Sequence, residues 1–492
     1  MHLTIDTDNN NDIFDSIAEI SKKASSSLSQ SDKRKFAAYF TPKQLSNHLV
    51  KVADYRGGKL GDKGAGGGIL SASAAARHIL SNSDKPCFIS AHEIIPQIRE
   101  FLKQSYRVVS NEAKSLNKAF DTEINGDFTA LADEALSTKY GDYENIIINP
   151  PYFKISPKSE VNQVIKKHLG FTVPNIYSSF MLISLHLLKQ EGSLTALVPR
   201  SFFNGLYHKS FRQYIRKHYS IDTITRYRSR SNAFKYENVI QENVIVKFTK
   251  RAQVPEIKIF TCLNPDSAPE YEMNLRSELL LNNDNDIFAL PADMDELNAF
   301  TRMRRLPSKL ESLGLTLSTG KVVEYRHKQS LNNTNSGAMY IEAKCLETNY
   351  DTYRSKYSKR SHGNALDIND NTSNVLIEAQ NIILIKRISS NSDKQRMNCT
   401  VLLKSQCTSE KLAISNHIQY ISGQALRDAD FALKIAKHLS SYDVEMSMRV
   451  INGTTQINSA DIDLIRFPKK KRNNKNKSAL DQNLCGTKDF KE

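Results

Sequence analysis

At 492 residues, with 68 Lys and Arg against 53 Asp and Glu, the chain carries a formal charge of +15. That length exceeds one ordinary core, at roughly 150 residues per domain, and the basic excess suits a polyanionic partner because Lys and Arg displace the counterions condensed on phosphates. Six scattered cysteines without a CxxC pair argue against a metal cluster or disulfide framework and for a reducing compartment, and the most apolar helical run, residues 177–188, is too short to span a bilayer.

In chain order, residues 1–33 are polar and low in complexity, which predicts a flexible leader without the basic-then-apolar pattern of a signal peptide. Pro42 stands where a helix would start, followed by Leu45, Leu49, Val50 and Ala53 at helical spacing. A glycine cluster, Gly64 to Gly68, precedes an alanine-rich helix over 69–80. Residues 87–91 read as a short buried strand and 93–106 as a helix. Residues 145–148 read as a second buried strand that ends at Asn149-Pro150-Pro151-Tyr152. Further strands are expected over 194–198 and 243–248. Strands alternating with helices predict an α/β, doubly wound sheet, whose ligands sit beyond the carboxyl ends of the strands.

After residue 255 the regularity fades. The stretch 274–378 is rich in Asn, Ser, Lys and Arg, the run 375–388 reads as a strand of a second domain, 428–439 looks helical, and 469–477 is a basic run. The expected organisation is therefore a leader (1–33), a catalytic domain (34–255), an α+β recognition domain (256–467) and a basic disordered tail (468–492).

The chemistry concentrates in a few residues. Glycines after a strand let a ligand approach backbone closely, which makes Asp62, Gly64, Ala65, Gly66 and Gly68 candidates for a cofactor loop. Glu93, soon after the next strand, suits the hydroxyls of a ribose, and Asp127 suits an amino group. At Asn149-Pro150-Pro151-Tyr152 the prolines fix φ and remove donors, so the Asn149 side-chain oxygen and the Pro150 carbonyl can both accept from one exocyclic amino group. Tyr152 offers a ring on which an extruded base could stack.

The order Tyr39-Phe40-Thr41-Pro42, Asp62 to Gly68, Glu93, Asp127 and Asn149 to Tyr152 resembles the gamma-class adenine-specific DNA methyltransferases of bacterial type II restriction-modification systems. Downstream, Leu197 to Gly205, Val239 to Asn243, Ser318 to Val323 and Asn452 to Pro468 extend the likeness. The resemblance implies the sheet of S-adenosylmethionine-dependent methyltransferases, with Thr41 at the cofactor and Phe234 as a second aromatic partner of the flipped adenine. It also implies double-stranded DNA as substrate, S-adenosylmethionine as sole cofactor without a metal, and action as a monomer in the bacterial cytoplasm beside a restriction endonuclease. Arg302, Arg304, Arg305, Lys321, Arg326, Lys356, Lys359 and Arg360 are candidates to meet the DNA. Two positions depart from the family pattern: Lys63 stands for proline after Asp62, and Gly67 for Ser or Thr. Both are expected to loosen the loop, which keeps open the alternative of a weak or inactive methylase-fold DNA-binding protein.

Overall fold

A computed structural model describes residues 11–138, 141–228, 242–282, 286–334, 336–347, 351–355, 362–389 and 395–469. Nine strands form one mixed sheet: β1 (Gly58–Lys63), β2 (Cys87–His92), β3 (Phe120–Asn125), β4 (Tyr143–Ile148), β5 (Leu188–Pro199), β6 (Ser220–Tyr227), β7 (Asn243–Thr249), β8 (Glu256–Cys262) and β9 (Pro269–Arg276). Their order is β3-β2-β1-β4-β5-β7-β6-β8-β9. The first five neighbours run parallel, whereas β7 is antiparallel to both β5 and β6. Strand order reverses between β1 and β4, and a crevice opens beyond the strand ends at such a reversal. The glycine loop follows β1 and the Asn149 turn follows β4, so the two most informative motifs meet there. This is the doubly wound mixed sheet expected.

Helices cover both faces. Successive residues of a strand point to opposite sides: Ile147 joins the core under α3 (Lys43–Ala53), α4 (Ile69–Ile79) and α5 (Pro96–Ser115), while Ile146 and Ile148 join the core under α6 (Ala132–Ser137), α7 (Glu160–Leu169) and α8 (Ile176–Leu187). In α4 nearly every side chain is buried, and its run of Ala and Ser lets the helix lie close to its neighbours.

Two expectations fail here. The flexible leader is in fact a helix, α1 (Asn11–Ser27), followed by α2 (Gln30–Phe36). Ile13, Phe14, Ile17, Ser21, Ala24 and Leu28 recur at helical spacing, and Ile17 and Ala24 are fully buried against the α4–α5 side. The nine-stranded sheet also runs past residue 255, since β8 pairs with β6 and β9 with β8. β9 is an edge strand with alternating exposure, and its Glu270 and Glu272 give it the composition of a loop. The tail from residue 470 lies outside the described residues.

The C-terminal part contains a four-stranded sheet (Thr316–Thr319, Ile418–Ser422, Ile382–Lys386, Cys399–Leu402 in that order) and a smaller five-stranded one. The expected strand is Ile382–Lys386 and the expected helix is Ala429–Leu439. Helices Met294–Arg304, Ala429–Leu439 and Tyr442–Ile451 pack on the first sheet.

A buried polar cluster joins this part to the end of β5. Arg200 has no exposed surface, pairs with Glu242 at 2.8 Å, and donates to the carbonyls of Arg449 (2.8 Å) and Val450 (2.7 Å). Arg226 donates to the Leu290 carbonyl and reaches Glu296, and Asn204 donates to Asp461. Removing one member of such a pair leaves its partner charged and dry. Arg200→Leu is therefore expected to lower unfolding free energy by about 3 kcal/mol or more in urea titrations; a loss below about 1 kcal/mol would mean that the cluster is better solvated than its burial indicates.

Candidate active site

The loop after β1 is glycine-rich for a conformational reason. Gly64, Gly66 and Gly68 hold φ of +92°, +54° and +83°, a region that side-chain-bearing residues rarely adopt. The loop is bound to the strand beside it. Gly64 and Ala65 donate to the His92 carbonyl at 3.0 and 2.8 Å, Gly66 donates to Glu93 at 2.8 Å, and Gly68 donates to the Ala65 carbonyl at 2.9 Å. Asp62 is fully buried and accepts from the backbone and hydroxyl of Ser71 in the first turn of α4; burial pushes its pKa up to about 6. Glu93 accepts from Gly66 and Ile95, one bond on each carboxylate oxygen, so each keeps a lone pair. Asp127 caps the short helix Phe128–Leu131 by accepting from Thr129.

Asn149 sits just past β4 and is half-buried. Its amide nitrogen donates to the Thr41 hydroxyl at 2.9 Å and to the Tyr39 carbonyl at 3.4 Å. A carbonyl only accepts, so the Tyr39 contact fixes which way round the amide stands and leaves Oδ1 as the acceptor. The Tyr152 hydroxyl donates to that oxygen at 2.8 Å and lies 2.8 Å from the Leu197 carbonyl, which anchors its ring edge-on to Tyr177. Among the described residues no hydrogen bond reaches the Pro150 carbonyl.

A cavity of about 260 Å³ is bounded by Thr41, Gly64 to Gly67, Glu93, Asp127, Asn149 and Pro151. It gathers most of the residues singled out in the sequence. Asp62, Gly68, Pro150 and Tyr152 are not among its lining residues, and Phe234 falls outside the described residues. Tyr39 and Phe40, of the motif that precedes the glycine loop, line the outer wall, and the sequence did not reveal Ser21, Lys35 and Phe36 beside them; the helical spacing of Ile13 to Leu28 was the available signal. Phe153, 41% exposed in the same cavity, was also missed although it directly follows Tyr152. Of the basic residues expected to meet DNA, Arg302, Lys321 and Arg326 are all exposed, Arg302 paired with Asp443 at 2.6 Å, while Lys356, Lys359 and Arg360 fall outside the described residues.

The two departures from the family pattern do not loosen the loop. Lys63 points into the core, where its ammonium donates to the Ser90 carbonyl (3.1 Å) and the Tyr143 hydroxyl (3.0 Å) and lies 4.4 Å from the Tyr143 ring centre. At Gly67 a Cβ would come within 2.9 Å of the Ser21 Cα, so glycine is what lets α1 close against the loop. Ser105 then clamps the Gly67 carbonyl at 2.7 Å.

Fold and motifs together are similar to those of methylases of the restriction-modification class. Residues 70–234, a stretch that contains Asn149 to Tyr152, match the family described as Eco57I restriction-modification methylase. Along most of its length the chain is similar to the type II methyltransferase M.PstI of Providencia stuartii, 27% identical over 93% of this chain and 91% of the relative. It is also similar to the type II methyltransferase M.BsuBI of Bacillus subtilis, 26% identical over 89% and 88% respectively. Among solved structures, the type IIL restriction-modification enzyme MmeI in complex with DNA shares the fold, with a TM-score of 0.51 at 13% identity over 90% of this chain and 70% of that one.

Burial holds the Lys63 pKa down to about 7 from its usual 10.5. Between those values the unfolded chain binds more protons than the folded one, so Lys63 makes stability climb as pH rises through that window. Lys63→Met keeps the bulk and removes the charge. It is expected to melt higher than the parent at about pH 6, with the difference shrinking by about pH 10. Thermal melts across this range check it, and a constant difference would contradict the buried-charge account.

Proposed function

We propose that the protein is a site-specific DNA methyltransferase (adenine-specific), transferring a methyl group from S-adenosylmethionine to the exocyclic N6 of adenine in duplex DNA. The observation that carries this reading is the fixed amide of Asn149, with its nitrogen engaged by Thr41 and Tyr39 and its oxygen left as the acceptor. The similarity to type II methyltransferases along most of the chain supports DNA as the substrate.

The cavity fits the cofactor chemically. Glu93 and Asp127 offer carboxylate lone pairs to hydroxyl and amino donors, and Phe40, Phe128 and Phe180 offer apolar ring surface. When bound there, S-adenosylmethionine supplies an electrophilic methyl group. Asn149 Oδ1 and the Pro150 carbonyl accept the two hydrogens of the adenine amino group, which draws that nitrogen towards tetrahedral geometry and frees its lone pair as the nucleophile. No covalent enzyme intermediate is needed, and the surplus proton of the methylated nitrogen passes to solvent. The target base has to leave the duplex to reach Asn149, and Tyr152, tethered through its hydroxyl, offers it a ring on which to stack. Phe234 is the proposed second aromatic partner.

In this reading the protein is the protective arm of a restriction-modification system in a bacterial cytoplasm. It acts as a monomer on DNA that a partner endonuclease would otherwise cut. The inactive alternative rests on the basic C-terminal half and on Lys63 and Gly67 in the loop, and the latter two are accommodated by packing. Sequencing modified bases in DNA from a host expressing the protein tests the proposal. N6-methyladenine at one short recurring site is the expected result; modified cytosine, or no modification, would overturn it.

A further inference from the structure

We propose that Lys35 is the cationic partner of the α-carboxylate of the cofactor, an inference that rests on the cofactor reading above. Backbone N–H groups of a glycine loop are the usual means of cradling an anionic group of a ligand. Most of those groups are already spent inside the fold. Gly64 and Ala65 donate to His92, Gly66 to Glu93 and Gly68 to Ala65, while Asp62 occupies the first turn of α4 at Ser71.

The carboxylate therefore needs a partner from elsewhere in the wall. The charged side chains lining the cavity are Glu93, Asp127 and Lys35. The first two repel an anion, and His92, also in the wall, is kept neutral by burial and by the neighbouring Lys63. Lys35 lies in the last turn of α2, its ammonium 5.0 Å from the ring centre of Phe36. Among the described residues it makes no ion pair or hydrogen bond, in contrast to Lys33, which donates to Ser25 at 2.9 Å. Just after it, Ala37 adopts a left-handed φ of +46° and turns the chain along the cavity towards Thr41. The N-terminal helices thus supply the one feature the loop lacks, which is positive charge at the amino-acid end of the ligand.

The test compares two probes on the full chain by calorimetry: S-adenosylhomocysteine, which carries the carboxylate, and 5′-methylthioadenosine, which lacks the amino-acid portion. Lys35→Ala is expected to weaken S-adenosylhomocysteine about tenfold and to leave 5′-methylthioadenosine unchanged, with Lys35→Arg retaining most of the affinity. Equal weakening of both probes, or undiminished binding of S-adenosylhomocysteine, would overturn the assignment. Wild-type protein that binds neither probe would instead refute the cofactor reading, and the inference with it.

Discussion

The site depends on a single amide being held one way round. Asn149 has two chemically opposite ends, and only its oxygen can accept hydrogens from an amino group. Thr41 could satisfy either end, because a hydroxyl both donates and accepts. The Tyr39 carbonyl cannot, and so it decides the orientation. A backbone carbonyl is a durable choice for that task, since no side-chain replacement at Tyr39 removes it. Much of the surrounding structure serves to bring the two chain segments together. β4 delivers Asn149 at the strand-order reversal, and α1 and α2 lead the Tyr39–Thr41 segment across the cavity mouth.

The same economy explains the loop after β1. Three left-handed glycines shape it, Asp62 and Glu93 fasten it from below and from the side, and α1 closes on Gly67. These contacts make the loop a rigid wall, with its amides turned inward. Positive charge enters the cavity from the N-terminal helices instead, at Lys35. The C-terminal part is tied in through Arg200 and Arg226, which knot the end of β5 and β6 to its carbonyls. A knot of charges so well buried favours a fixed distance between the Asn149 turn and the C-terminal sheets over hinge motion.

What was legible in the sequence was local. The apolar triplet before Asn149, the two prolines and the glycine cluster each announce themselves within a few residues, and their placement at adjacent strand ends follows from the alternation of elements. What was hidden had one of two causes. In α1, Ser and Lys dominate the composition and obscure apolar residues at helical spacing, and in β9 acidic residues do the same to an edge strand. Elsewhere the partners are distant in the chain. Arg200 finds its carbonyls 249 and 250 residues away, and Lys63 meets Tyr143 80 residues on. A basic residue reads as surface until such partners are known, which is why Lys63 looked like damage to the loop and is part of its core.

In the proposed reaction the Asn149 amide, as oriented by Tyr39 and Thr41, makes the amino nitrogen of the substrate nucleophilic. Single-turnover methyl transfer on a preassembled complex of protein, S-adenosylmethionine and methylatable duplex measures this directly. For Asn149→Ala the account predicts a methyl-transfer rate lower by a factor of about a hundred or more, with DNA and cofactor affinities close to those of the parent. A variant that transfers methyl at a near-parental rate would contradict it.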